Sequence, residues 1–572
     1  METRNCQNCK QDFIIEPDDF SFYEKMKVPA PTFCPTCRNQ RRLSWRNDTS
    51  LYNGTCGLCK KSIITLYSPD SGVITYCNKC WWSDDWDPMA YGQDYDFSRP
   101  FFEQFKEFIL RIPHLAMVND NGTGSINSEY TQDFSFAKNC YMVFVAWHIE
   151  NVMYSYYLIA GKDIMDSMNV MSNSQWLYEC IQPEECFHVK YSHFAISCMD
   201  SAFIYDCRNC SNCFMCSGLR NKKYCYKNEQ YSKEEYEKIV ESYKLDTFSG
   251  VERAQKEFDE FILATPRRFA LITHCFNCTG DLLNNGKNSS FCFNVQNPDT
   301  CKWINNADTI KDSIDVETSG MSEQIYEGIT CDNSSRNIFG LYSWKNQNVE
   351  YTHHCHSCNN LFASVALRSK NYCIFNKQYS KEEYGILKAQ IQEHMNAMPY
   401  VDAQGCMYGY GEFYPAELSH FGYNETIGQE RFPLTKEEAE AKGFKWQDIV
   451  QRTVGKETIA PEQIPDSIVD IGESFTNEIL ACIECRRNYK IVPEELKFYQ
   501  YMKIPIPRKC FHCRHAARIK RRNPFKLWHQ SCMCEQAGHA HEGRCSNEFE
   551  TTYSPDRPEI IYCESCYQQE FN

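Results

Sequence analysis

Sixteen cysteines of this 572-residue chain stand in pairs whose spacing suits a metal. Near the start are Cys6 and Cys9, Cys34 and Cys37, Cys56 and Cys59, Cys77 and Cys80; near the end are Cys482 and Cys485, Cys510 and Cys513, Cys532 and Cys545, Cys563 and Cys566. A tight CxxC turn aims two thiolates at one point, and two such turns complete a four-sulfur tetrahedron, the donor set and geometry that zinc prefers. Eight thiolates make two sites at each end, about four Zn2+ in all. Sequential sites join the first pair to the second and the third to the fourth, whereas a cross-braced module joins first to third. The 18 residues between Cys37 and Cys56 favour the sequential form. Buried free thiols and a redox CxxC are the competing readings; neither requires pairs at repeated spacing, and no strand-helix context suggests a thioredoxin-like unit.

The two ends are copies. At an offset of 476, Cys6, Cys9, Cys34, Cys37 and Cys56 fall on Cys482, Cys485, Cys510, Cys513 and Cys532, and Arg38, Arg42, Arg46 and Asn47 fall on Arg514, Arg518, Arg522 and Asn523. Beyond Cys532 the offset becomes 486, so ten residues have entered one knuckle, and with them Cys534, His539 and His541, which are alternatives to Cys532 as ligand.

The elements that must position these thiols follow from the intervening residues. RNQRRLSWRN after Cys37 and RHAARIKRRNPFKLW after Cys513 read as helices, so each second CxxC sits on a first helical turn, as in zinc-ribbon or treble-clef fingers, where the helix dipole favours thiolate. These helices are basic. Arg514, Arg518, Lys520, Arg521 and Arg522, with Arg38, Arg41, Arg42 and Arg46 as a second patch, either track phosphates or dock on acidic surface of the same chain. The chain's net charge is −15, made of −2 over residues 1–98, +4 over 482–572 and −17 between them. That balance argues against wholesale coating of nucleic acid. With no apolar run of membrane-spanning length and no signal segment in METRNCQNCK, the expectation is a cytoplasmic protein with reduced thiols and no membrane partner.

The middle repeats at an offset of 148, where Cys207 to Tyr236 answers to Cys355 to Tyr384. A finer period of 11 to 12 links Asn337, Asn348, Asn360 and Asn371, and likewise Asn139, Asn151 and Asp163. Asn and Asp tolerate left-handed turns, and the runs between them have strand bias. The expected fold is mainly β: a parallel β-helix-like solenoid in two blocks with coils of about 22 to 24 residues, an antiparallel sandwich being the competitor. The ranges are a tandem zinc module over 1–97, a capping helix over 98–113, solenoid block one over 114–231, a helical insert over 232–270, block two over 271–379, a helix and linker region over 380–475, and a second tandem zinc module over 476–572. Capping boxes at Ser232 to Glu235, Ser380 to Glu383 and Thr435 to Glu438 start helices.

Cys207, Cys210, Cys213 and Cys216 are spaced like iron–sulfur ligands, but Leu361 and Ser364 replace two of them in the internal copy, which favours packing thiols. His353, His354 and His356 could join Cys355 and Cys358 on a metal; Cys275 and Cys278 have no matching pair. Asp163, Asp166 and Asp200 are acids available to a groove enzyme, an idea resting on fold analogy alone. No hydrolase, metalloprotease, P-loop or dinucleotide motif occurs, and no catalytic residue is nominated.

The segments LRNKKYCYKNEQYSKEEY, FGYNETIGQERFPLTKEEAEAKGFKW and NEFETTYSPDRPEIIYCESCY resemble an uncharacterised family of bacterial zinc-finger proteins from candidate phyla. The resemblance implies membership and no activity. The expected function is a non-catalytic, zinc-binding scaffold for another protein, with a nucleic-acid or ribonucleoprotein binder as the alternative; oligomeric state is not read from the sequence.

Overall fold

The computed structural model describes residues 1–118, 125–128, 130–448 and 453–571. Parts of three expected ranges therefore lie outside the described residues: 119–124 and 129 of block one, 449–452 of the linker region and 572 of the last module.

Two parallel sheets fill the middle. The first has nine strands in chain order, from Tyr130–Lys138 and Tyr141–Met153 through Lys223–Tyr226, closed by the short antiparallel strand Glu229–Gln230. The second has ten, from Ile272–Thr273 to the antiparallel closing strand Lys377–Gln378. The sandwich is thereby excluded for these residues. Pairing runs Phe144 to Tyr156 to Met168 in the first sheet, and Ser335 to Gln347 to Asn359 to Asn371 in the second. Hydrogen-bonded neighbours are thus 12 residues apart, half the expected coil of 22 to 24. The Asn period was itself the strand register: Asn139 donates to Asn151 at 3.2 Å and Asn151 to Asp163 at 2.8 Å.

A three-residue rule generates this register. From Asn139 to Ser172 every third residue has positive φ, including Met142, Val145, His148 and Asn151, and the residue after each of the first five points inward: Cys140, Val143, Ala146, Ile149 and Val152. The left-handed region is unfavourable for a β-branched residue such as Val145, so the packed stack must hold it there. Cysteine fits the inward positions as a small hydrophobe with a weak donor. Cys180 donates to the carbonyls of Tyr178 and Val189 at 3.4 and 3.3 Å, and Ser334 makes the same pair of bonds to Asp332 and Ser343. The spacing of Cys207, Cys210, Cys213 and Cys216 is this inward period, and all four are buried.

Helices close the blocks. Lys233–Tyr243 and Lys381–Ala397 begin at Ser232 and Ser380 with the expected reciprocal capping bonds. The Phe stripe of helix Phe101–Arg111 packs on the second block, with Phe101 5.7 Å from Phe362 and Phe108 5.0 Å from Phe375 between ring centres.

Candidate metal centres

Each terminal module repeats one local design twice. A hairpin carries one cysteine pair at its turn, and a helix begins at the other pair. The hairpins are Glu2–Asn5 with Asp12–Ile15, Tyr52–Thr55 with Ser62–Thr65, Leu480–Ala481 with Asn488–Tyr489, and Trp528–Ser531 with Glu548–Thr551. Cys34, Cys77 and Cys510 are the N-caps of the following helices, and Cys563 directly precedes helix Glu564–Phe571. In three hairpins the residue after the CxxC turns left-handed, at Lys10, Lys60 and Arg486, and its N–H closes the turn on the first cysteine's carbonyl.

The sulfurs converge as four sets: Cys6, Cys9, Cys34 and Cys37; Cys56, Cys59, Cys77 and Cys80; Cys482, Cys485, Cys510 and Cys513; and Cys532, Cys545, Cys563 and Cys566. First pairs with second and third with fourth, so the cross-braced arrangement is not formed. The Cys9–Cys34, Cys59–Cys77, Cys485–Cys510 and Cys545–Cys563 sulfurs are 3.8, 3.9, 3.6 and 4.0 Å apart. Zinc–sulfur bonds of about 2.3 Å at tetrahedral angles place neighbouring sulfurs about 3.8 Å apart, so the donor sets fit zinc in size as well as chemistry. Backbone N–H groups support thiolate: those of Cys34, Cys77 and Cys563 donate to the sulfurs of Cys6, Cys56 and Cys532 at 3.2, 3.3 and 3.2 Å. Burial pushes the Cys56 and Cys482 thiols up, but backbone N–H donors outweigh it and leave them at about 6 and about 7.

The stretched knuckle holds Cys532 in the four-thiol set. Cys534, His539 and His541 form a second group that shares Cys566, with the Cys534 sulfur 3.1 Å from His539 Nδ1. His353 and His354 do not converge with Cys355 and Cys358. The two thiols pack inward with Val349, Leu361 and Cys373, whereas the imidazoles contact Tyr342, His114 and His420.

The basic helices require a correction. Arg514 and Arg518 are buried, and Asp166 holds both: its carboxylate accepts from Arg514 Nε at 2.9 Å and from Arg518 at 3.0 Å, while Glu179 accepts from Arg518 at 3.3 Å. They face the first sheet and cannot also serve as phosphate contacts in this fold. Lys520 and Arg521 are exposed, and Arg522 is half-buried, with its guanidinium 4.5 Å from the centre of the Phe525 ring. The second patch is wholly internal. Arg38 and Arg42 share Asp315 at 2.7 and 3.0 Å, Arg41 joins Glu327 and Glu412 at 3.1 Å each, and Arg46 joins Asp48 and Asp133 at 2.9 and 3.0 Å.

One contact is therefore made twice, crosswise: the N-terminal helix Pro35–Leu43 docks on the second block and the C-terminal helix Phe511–Arg521 on the first. Sequence reasoning noted Asp166 only as a free acid and missed Asp315, Glu327 and Glu179. The available signal was the internal repeat, which places Glu327 at Glu179 plus 148 and Asp315 one residue beyond Asp166 plus 148. The other two groove acids are paired as well, Asp163 in the Asn ladder and Asp200 to His188 at 2.8 Å.

Between the blocks lies a cleft of about 570 Å³ whose walls include Trp82, Phe136, Trp147 and Trp344, with Asp308 and Asp332 beside them. Among the described residues, no helix is long and apolar enough to cross a membrane. No protein-family model and no curated protein matches the chain.

Proposed function

We propose that the protein is a non-catalytic, zinc-stapled scaffold: two β-solenoid blocks of 12-residue coils, held together by two tandem treble-clef-like zinc modules, that binds another protein in the cytoplasm. The 12-residue register and the positive φ at every third residue support the solenoid reading; the hairpin-plus-helix cysteine sets support the zinc reading. Membership in the uncharacterised bacterial zinc-finger family is part of the same proposal and rests on the quoted segments.

The observation that carries it is the burial of both arginine helices against their own chain. A module whose basic helix is spent on internal carboxylates works as a fastener, and nucleic acid is left with Lys520 and Arg521. The cleft is the surface offered to a partner. Aromatic faces next to Asp308 suit a cationic segment, through cation–π contact and charge complementarity, with Lys345 on the same wall selecting its direction. The test is titration of the zinc-loaded chain with Lys- and Arg-rich peptides, alongside single-stranded RNA and DNA. Peptide binding that Trp147→Ala and Trp344→Ala abolish supports the reading. Nucleic-acid binding that falls steeply with salt and survives those substitutions overturns it.

A further inference from the structure

Four histidines from three parts of the chain meet in the interior. His114 lies on the short strand His114–Leu115, His353 and His354 on the second block, and His420 on the segment after Leu418. All four are buried, His420 the least at 8% exposed. Ring centres are 4.5 Å apart for His353–His354, 4.9 Å for His114–His353, 5.0 Å for His114–His420, and 6.1 Å for both His114–His354 and His353–His420. Packing explains contact between rings but not their nitrogens: Nδ1 of His353, both nitrogens of His354 and Nε2 of His420 are buried with no hydrogen-bond partner. Unpaired buried polar atoms are rare in folded proteins because each forfeits its hydration.

His114 is oriented as a ligand would be. Its Nε2 lies 2.9 Å from the Ile109 carbonyl, which only an N–H donor satisfies, and this tautomer leaves the lone pair on Nδ1. A hydrogen bond from the far nitrogen to a carbonyl is the usual support of a metal-bound imidazole. Zinc–nitrogen bonds of about 2.0 to 2.1 Å at tetrahedral angles place imidazole ring centres about 5 Å apart, the separation of His114 from His353 and from His420. That lone pair accepts a hydrogen bond from the Tyr67 hydroxyl at 3.4 Å, a long contact that a bound metal would displace.

We propose that His114, His353, His354 and His420 form a nitrogen-donor site for one divalent transition metal of the zinc class, separate from the cysteine centres. Such a site ties the N-terminal module's edge to the second block and to the segment carrying His420. Histidine burial alone predicts the neutral form that a metal requires, since desolvation holds His114 down at about 4 and the other three well below the usual histidine value.

The test uses the full chain, freed of metal under reductant and titrated with Co2+. Cobalt in the cysteine centres, including the group containing Cys534, shows thiolate-to-metal charge transfer; the histidine site binds one equivalent that adds d–d absorption without it. His353→Asn and His420→Phe each remove that equivalent while the charge-transfer bands, which report folded modules, persist. Zinc content then falls by one atom per chain relative to the wild type. Absence of a thiolate-free equivalent in the wild type overturns the proposal whatever the variants do, as does a metal count that the substitutions leave unchanged.

Discussion

Replacing Asp166 by Asn isolates the crossed arginine contact. The carboxylate is fully buried and neutralises Arg514 and Arg518 at once, while Glu179 also reaches Arg518 and Glu495 stands 4.0 Å from Arg514. Asparagine keeps the shape and removes the charge. Each lost interaction at about 4 Å is worth roughly 4 kcal/mol at an effective dielectric near 20, before rehydration and the remaining acids offset part of it. Breaking a buried pair from one side costs about 3 to 5 kcal/mol, and that range is expected here. Because a chain of several units does not unfold in one step, the assay is hydrogen exchange resolved by segment. Amides of helix Phe511–Arg521 should exchange about 100- to 3,000-fold faster, with helix Pro35–Leu43 unaffected. Asp315→Asn should give the mirror result, and because the two carboxylates share no partner the double variant should show both effects independently. A loss below about 1 kcal/mol, or loosening of the wrong module, would refute the claim that these arginines fasten the modules crosswise.

Three further outcomes are expected. Chelation under reductant should make residues 1–97 and 476–572 protease-sensitive while the paired sheets persist, since structural zinc is worth about 10 to 16 kcal/mol per site; termini that stay equally resistant would remove zinc from the account. Burial pushes Glu495 up to about 7 against the pull of Arg514, so the folded chain keeps this proton where the unfolded chain releases it. Its contribution is complete below the unfolded value and falls as pH rises from about 4.5 to about 7, by at most about 3 kcal/mol, a slope that Glu495→Gln should flatten in denaturant titrations. Gly280→Ala should cost about 3 kcal/mol or more by thermal unfolding, because φ is +146° and the added Cβ would lie 1.8 Å from the Cys292 carbonyl oxygen at the register shift; a near-neutral effect would refute that close approach.

What the sequence disclosed were features set by near neighbours. The cysteine sets were legible because a CxxC turn and a helix start are local, and the Ser232 and Ser380 capping boxes for the same reason. The 12-residue spacing of Asn139, Asn151 and Asp163 was visible, but its meaning was halved, because nothing in a single chain marks whether one turn residue or two complete a return. The inward period of three, seen in Cys207 to Cys216, looked like ligation because thiol spacing alone does not say what the thiols face. Least legible were the partners of the arginines. Arg38 reaches Asp315 across 277 residues and Arg514 reaches Asp166 across 348, distances at which an acid in a −17 region carries no address. The four histidines come from three separate segments; His353 and His354 drew notice in the sequence, but beside Cys355 and Cys358 and not with His114 and His420.

The crosswise fastening also sets a timetable for synthesis. The first cysteine module leaves the ribosome with Arg38, Arg41 and Arg42 uncovered, and Asp315 follows 277 residues later, an interval of tens of seconds at about 5 to 20 residues per second. The last module meets no such delay, because its landing surface on the first block was finished long before. The nascent chain is thus exposed at one end only, and holding factors or premature truncation should act on that end.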